Sequence, residues 1–535
     1  VAETRPLPVA LAEAAGTHPD DVLIQTTTGD LVTYGSFRDK GLSLASALAR
    51  MTSDGSRVAS MLPNSVEAYL VWIGAAWAGR VEVALDPHLR GQTLVHALNT
   101  SGAELAVVYG EEQLSAIQAV EASLTNLKTV VLVRCGDFEG RPARLNTVGL
   151  PDLLQTEASL EPYNVAGHDV ATILFTSGTT GPAKGVLVPW ARFQHSPPQY
   201  FPGCSRADVE GGAFYQVWPT HHASGKVGLA ISVELGLRMV LRERFSVRQF
   251  WEDVHEYKIT HSLLVFGANY IMESGDQEKN KSNTLRQVMM APLIPEYRKF
   301  EETYSVKVTT GYGQSEIGFA FFTDNPPNYR TVGKPSPGYE VRLVDEHDYE
   351  VPAGEPGELI VRHDQPWRLN LGYIGMPEET AAAWRNGWFH TGDVFRRDAD
   401  GNMYFVDRVR DYIRRKGENV SSFEVESVAL SHPEVAECAC VGIPSDRNAG
   451  HHVADDDILL VAVLTEGSRL TADELAAYID DRVPPRMFPD YIVFQESLPR
   501  THTNKVRKAA IREAGVDSNA WRRPKRGQRL TDPTP

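Results

Sequence analysis

Cysteine is scarce: the 535 residues contain four, Cys135, Cys204, Cys438 and Cys440. So few cannot staple a chain of this length, and it does not need stapling. At about 100–200 residues per domain it should form two to four domains, each with a core of its own. The last two cysteines stand at C-x-C spacing on an expected strand, with both thiols on one face and no second pair to complete a zinc site. Buried, reduced thiols follow, and with them a cytoplasmic location. Long apolar runs are missing too. The longest, residues 69–78, is half of the roughly 20 residues a membrane helix requires, and no basic segment followed by an apolar one opens the chain, so neither a membrane span nor a signal peptide is expected. Positive charge is in deficit: 53 Lys and Arg face 69 Asp and Glu, a net charge of -16. Such a surface repels polyanions. That excludes nucleic acid as a main partner and leaves any anionic ligand to backbone N–H groups and a few local cations.

What is present is alternation. Up to about residue 400, short β-rich apolar runs such as 57–62, 105–109 and 129–133 alternate with amphipathic stretches such as 66–78 and 250–257. This predicts α/β layers on a largely parallel sheet. From 331 to 362 short strands broken by Gly and Pro read as an antiparallel or barrel-like insert. After Arg408 a charged stretch, RDYIRRKGENV, leads into a helix from near Ser422, strands 437–442 and 458–464, and a helix 472–483. The expected organisation is a large N-terminal domain, 1–408, of layered α/β subdomains plus a β-barrel-like subdomain. A small, mobile α+β C-terminal domain, 409–535, follows it, with a basic, partly disordered tail from about residue 521.

The segment ILFTSGTTGPAKGV, 173–186, carries the strongest chemical signal. An apolar strand runs into a loop with hydroxyls at Ser177, Thr179 and Thr180, glycines at Gly178, Gly181 and Gly185, and one cation, Lys184. Glycines let the backbone approach a ligand, hydroxyls donate to phosphate oxygens and the lysine supplies counter-charge, so this reads as a phosphate-gripping loop. It is not a Walker A loop, which needs G-K-[ST] in succession where this chain has Ala183-Lys184-Gly185. A second segment, GYGQSEIG, 311–318, resembles a dinucleotide fingerprint only superficially, because Glu316 takes the third glycine position and would repel a pyrophosphate. Its residues suit other work: Tyr312 a base-stacking face, Ser315 a phosphate donor, Glu316 an oxygen ligand for Mg²⁺. A turn capping a helix reads equally well there. WFHTGD ends in Asp393, a carboxylate after a glycine turn suited to a ribose diol, while FVDRVRDYIRRKGENV adds Arg408 and PRTHTNKVRK adds Lys505.

In this order, and over nearly the whole chain, these segments resemble the adenylate-forming superfamily of acyl-CoA synthetases, luciferases and nonribosomal peptide adenylation domains. FVDRVRDYIRRKGENVSSFEVE looks most like the crotonobetaine/carnitine-CoA ligase group. The resemblance implies that the loop from Thr176 holds the triphosphate of ATP and that Gly311, Tyr312 and Gly313 bind the nucleotide, with Tyr312 stacking on adenine. It gives Ser315 to the α-phosphate and Thr176 with Glu316 to Mg²⁺. Asp393 and Arg408 take the ribose side of the nucleotide, and Lys505 bridges the substrate carboxylate and the α-phosphate. Arg410 falls at the family's hinge.

Within that resemblance VWPTHHASG matches a P-x-x-H motif, with His222 at the mouth of the acyl pocket. Amino-acid-activating relatives carry an aspartate there, so an α-amino acid is not the expected substrate. Val265, Phe266, Gly267, Ala268 and Phe319 form an apolar wall suited to a hydrophobic acid, and plain core packing of Val265 and Phe266 is the alternative. Departures include Met289-Met290 in place of two glycines, Asp407 in place of a frequent glycine, and Asn504 before Lys505. The expected activity is an ATP- and Mg²⁺-dependent acyl-CoA synthetase taking a hydrophobic, non-amino carboxylic acid through acyl-AMP to coenzyme A. The alternatives are an acyl-AMP ligase loading a carrier-protein thiol, and a relative that binds nucleotide or acyl ligand without turnover.

Overall fold

The computed structural model describes residues 5–134, 144–176, 183–193, 200–201, 203–265, 267–408, 413–415, 418–445, 456–483, 485–500, 505–517 and 520–524. Six strands and two helices reach the site discussed below: β1 (Val170–Thr176), β2 (Lys184–Pro189), β3 (Lys307–Gln314), β4 (Gly318–Thr323), β5 (Phe389–Arg397), β6 (Met403–Arg408), α1 (Ala223–Leu235) and α2 (Ser422–Leu430).

The first sheet has seven strands, ordered Asn146–Gly149, Thr129–Leu132, Leu105–Val108, Arg57–Met61, Val81–Ala84, β1 and β2. All neighbours are parallel except β1 and β2. Strands covered on both faces read as continuous apolar runs, which is why 105–108 and 129–132 show no alternation and are buried throughout. The helix Val66–Trp77 is apolar nearly all round because it is enclosed. Trp72 stacks on Trp190 at 5.1 Å and donates from Nε1 to the Ala171 carbonyl at 2.9 Å.

The second sheet has thirteen strands and changes character along its width. From Val22–Thr26 through Arg238–Leu241, Ala213–Gln216, His261–Leu264 and Gln287–Met290 to β3, neighbours are parallel. Beyond β3 every pairing is antiparallel, through β4, Thr331–Pro335, β6, β5 and Gly357–His363 to Tyr339–Val344. The insert expected at 331–362 therefore falls within the antiparallel half of this sheet, which begins at β4 and ends at β6 in sequence, and no closed barrel forms among the described residues. One hydrophobic cluster takes residues from both large sheets, so together they make a single N-terminal body.

The hairpin β3–β4 sits where parallel pairing gives way to antiparallel. Its glycines permit the approach: a Cβ on Gly311 would lie 2.1 Å from the Phe321 carbonyl oxygen, and one on Gly313 2.2 Å from that of Gly318.

A third sheet, Val435–Pro444, Asp456–Leu464, Tyr491–Phe494 and Trp521–Arg522, has two clusters made only of residues from Ile413 onward. Of the tail expected from about residue 521, residues 521–524 are described. Trp521–Arg522 closes the sheet edge, Trp521 Nε1 donates to Asp473 at 2.8 Å, and Arg523 pairs with Asp480 at 2.6 Å. Cys438 and Cys440 are buried and free, and burial pushes both thiols far above their ordinary pKa. Among the described residues no helix is long and apolar enough to cross a membrane, and no cluster of metal-ligating side chains occurs.

Candidate active site

β1 ends at Thr176 and β2 begins at Lys184, and the two are register partners. Thr176 Oγ1 donates to the Lys184 carbonyl at 3.3 Å, so both ends of the expected phosphate loop are fixed. Ser177, Gly178, Thr179, Thr180 and Gly181 lie outside the described residues. The Lys184 ammonium stands 4.7 Å from the centre of the Tyr373 ring, and the Tyr373 hydroxyl donates to Glu316 Oε1 at 3.3 Å. Tyr373 thereby joins the two motifs that sequence separates most clearly.

Tyr312 and Gln314, two apart on β3, share one face. Both donate to Asp393 Oδ2, Gln314 at 2.7 Å. The Tyr312 ring meets Phe395 edge-on at 4.8 Å. Asp393 on β5 is 5% exposed and pairs across the ladder with Arg408 on β6, whose Nε is 3.5 Å from Oδ1. Burial pushes the Asp393 carboxyl above the usual aspartate value, and Arg408 only partly offsets this.

The turn after β3 carries Ser315 and Glu316 and is held from outside. The Ser315 carbonyl accepts from Arg192 at 3.1 Å, and that of Glu316 accepts from the Asn370 backbone N–H at 2.8 Å and side-chain amide at 3.0 Å. This is the bend of a β-hairpin, so the helix-capping alternative is excluded. Burial raises the Glu316 carboxyl too, against the Tyr373 hydroxyl and the charge of Arg192.

Lys505, from the C-terminal unit, arrives at the same place. Its side chain keeps solvent-exposed surface, yet enough protein surrounds the ammonium to pull it below the ordinary lysine value; Arg408 adds to this and Asp393 and Glu316 oppose it. Two carboxylates of the N-terminal body, one arginine and one lysine from beyond residue 500 thus feel one another's charge.

The acyl side is arranged differently. His222 holds the N-cap position of α1, its ring 4.4 Å from that of His221, which lies 3.8 Å from Asp86. One turn along α1, Lys226 makes a fully buried ion pair with Glu82 at 2.6 Å. Glu82 also accepts from Ser60 at 2.8 Å and from Thr172 of β1 at 2.9 Å, which clamps α1 to the strand leading into the phosphate loop.

The apolar wall divides into two groups. A Cβ on Gly267 would meet Phe245 at 2.9 Å, and Phe245 stacks at 5.3 Å on Trp218, four residues before His222. Phe319 stacks on Tyr200 at 4.6 Å and touches Gly311 of β3. Ala268 is buried, whereas Val265 is 37% exposed, which removes the core-packing alternative for it. Phe266 and Arg410 lie outside the described residues.

Sequence reading missed Gln314, Tyr373 and Asn370. The period-two pattern from Tyr312 points to Gln314, but Tyr373 and Asn370 come close only through the pairing of β2 with the segment after Arg368, and no local signal marks them.

Comparison with known proteins bears on the family and the fold. Residues 11–373 match the AMP-binding enzyme family and residues 424–505 the AMP-binding enzyme C-terminal domain. The crotonobetaine/carnitine–CoA ligase of Citrobacter koseri is 29% identical over 486 residues, 89% of this chain and 91% of that protein. Among solved structures, ATP-bound MatB from Rhodopseudomonas palustris superposes with a TM-score of 0.82 at 22% identity, over 96% of this chain and 99% of that one. A benzoate CoA ligase from Burkholderia xenovorans gives 0.77 at 22% identity, over 95% of this chain and 99% of that one.

Proposed function

The chain belongs to the AMP-binding enzyme family, and from that membership we propose that it is an AMP-forming acid–thiol ligase, an acyl-CoA synthetase for a hydrophobic carboxylic acid without an α-amino group. The observation that carries the reading is the convergence of Glu316, Arg408 and Lys505, drawn from two folding units, on the buried Asp393 carboxylate and its surroundings.

The reaction has two steps. A carboxylate oxygen attacks the α-phosphorus of ATP in line and pyrophosphate leaves; then a thiolate attacks the acyl carbonyl and AMP leaves. No covalent protein intermediate is required, because acyl-AMP is itself the activated species. Asp393, already accepting from Tyr312 and Gln314 through Oδ2, keeps acceptor capacity on Oδ1 for a ribose hydroxyl. Arg408 and Lys184 supply fixed positive charge. Lys505 neutralises charge that develops at the α-phosphate and aligns the incoming carboxylate. Glu316 offers a hard, half-buried carboxylate oxygen, which suits a divalent cation, and Thr176 supplies a second oxygen. Mg²⁺, when bound, would offset phosphate charge there.

His222 cannot pair with a substrate ammonium as an aspartate would. A buried ammonium without a partner carries a desolvation cost of several kcal/mol, so acids lacking the α-amino group are favoured. Coenzyme A is the acceptor in this reading. The domain boundary falls near Arg408, with Arg410 in the pivot.

A panel of carboxylic acids scored by pyrophosphate release, with and without free coenzyme A, tests the whole reading. Pyrophosphate release with an apolar acid, and acyl-CoA thioester with release of AMP on adding coenzyme A, are expected. Thioester only with a carrier-protein thiol would move the acceptor, and no pyrophosphate with any acid would remove the activity.

A further inference from the structure

Asp407 stands next to Arg408 but faces away from the nucleotide patch. It belongs to β6, a strand of the N-terminal body, and is 3% exposed. Its Oδ2 accepts from the Ser422 backbone N–H at 2.6 Å, the Ser422 hydroxyl at 2.9 Å and the Phe423 N–H at 3.3 Å; Oδ1 accepts from the Arg408 N–H at 2.7 Å. Ser422 and Phe423 open α2, the first helix of the C-terminal unit. A carboxylate of one unit therefore satisfies the exposed N–H groups and positive helix end of the other, a charge-assisted arrangement among the stronger ones a helix terminus allows. The neighbours of Asp407 reinforce it. Ser421 Oγ donates to the Val406 carbonyl at 2.8 Å, and the rings of Phe405 and Phe423 meet edge-on at 5.8 Å.

The contact continues to the catalytic lysine. Lys508 Nζ lies 2.6 Å from Ser422 Oγ and 2.8 Å from Glu426 of α2, and Lys508 is three residues beyond Lys505. Asp407, Ser422 and Lys508 thus form one hydrogen-bonded line from the body to the segment that presents Lys505.

We propose that Asp407 is a positioning residue, a latch that holds the C-terminal unit in the orientation that forms acyl-AMP. The inference rests on the two-step reading above. Lys505 occupies the space around the α-phosphate in the first step, and a thiol must enter there in the second, so the C-terminal unit has to turn on the residues between β6 and Ile413. Such a turn carries the first turn of α2 away from Asp407. Because both groups are nearly inaccessible to water where they meet, the bond is strong while made and is lost as a unit. The latch sets the population of the two orientations and so the balance of the two half-reactions.

Two variants and two readouts test this. Asp407→Ala removes the acceptor. Ser422→Pro removes one donor N–H and the hydroxyl at the first helical position, where proline is well tolerated. Spin labels on Glu346→Cys and Glu466→Cys, exposed sites on the two units, report their separation without substrate. The latch requires one narrow distance distribution with Asp407 intact and a broadened or second one in both variants. A broad distribution with Asp407 intact, or identical distributions throughout, overturns it.

In activity, Asp407→Ala should slow pyrophosphate release roughly tenfold or more while thioester formation from supplied acyl-AMP holds or rises. Asp407→Asn, which keeps an acceptor oxygen, should recover part of the loss. Equal losses in both half-reactions would reduce Asp407 to a merely structural role. Absence of pyrophosphate release by the unaltered protein would instead strike the two-step reading, and the distance measurement would still decide the latch.

Discussion

Two sets of buried carboxylates lie in the N-terminal body and are treated in opposite ways. Glu82 is 1% exposed and completely answered: Lys226 at 2.6 Å, hydroxyls from Ser60 and Thr172, and the Trp72 ring 4.4 Å from the lysine ammonium. Asp393 is buried almost as well and Glu316 is half-buried, yet their protein partners are mainly neutral donors; of the cations near them, Arg192 bonds to neighbouring carbonyls, Arg408 comes from the end of a strand and Lys505 from another folding unit. A permanently paired carboxylate holds elements together. An under-answered one, with its proton affinity raised, is left ready for charge that arrives from outside.

The sharpest way to break this contrast is at Lys226. Lys226→Met should destabilise the N-terminal body by about 3–5 kcal/mol, since it strands a buried carboxylate, while Glu82→Gln with Lys226→Met should recover most of the loss. Melting of both variants measures this. If the single variant melts like the parent, Glu82 belongs with the other group.

Lys505→Ala should behave in the reverse manner. The melt should be unchanged, while the adenylation step slows by about 10²- to 10³-fold and thioester formation from supplied acyl-AMP survives. A lowered melting temperature with both steps equally slow would make Lys505 a second Lys226.

The smallest effect is on pH dependence. A carboxyl whose pKa is raised on folding binds its proton more tightly in the native state, so the stability it contributes is present in acid and is lost as pH rises through the native value. Glu316→Gln and Asp393→Asn should each flatten the fall in melting temperature with rising pH above the ordinary carboxylate range. A steeper fall in the variants would reverse the assigned direction.

The α/β layering, the change of pattern after residue 331 and the compact C-terminal unit were legible because each rests on local periodicity; strands 105–108 and 129–132 and helix 422–430 lie within a residue or two of expectation. The single width of the second sheet was not, because nothing near Val22–Thr26 says that it will lie against Arg238–Leu241. In the site, GYGQSEIG and WFHTGD were legible as segments, and the structure brings Tyr312 of one and Asp393 of the other into contact. Tyr373 and Asn370 were not legible, since their roles arise from a pairing between segments far apart in sequence. Asp407 was visible as an oddity of sequence, but its partner on α2 was not.

That sheet has a consequence for how the protein is made. Val22–Thr26 pairs locally with Leu31–Thr33, but Thr26 also pairs with Leu241, so the strand is synthesised 215 residues before its parallel neighbour. At 5–20 residues per second this is a wait of roughly 10–40 s. Leu23 and Ile24, completely buried in the finished molecule, spend that interval with only part of their native cover. Completion of this sheet edge therefore waits on residues 238–241, and a chain released before them would leave the strand Val22–Thr26 without its parallel neighbour.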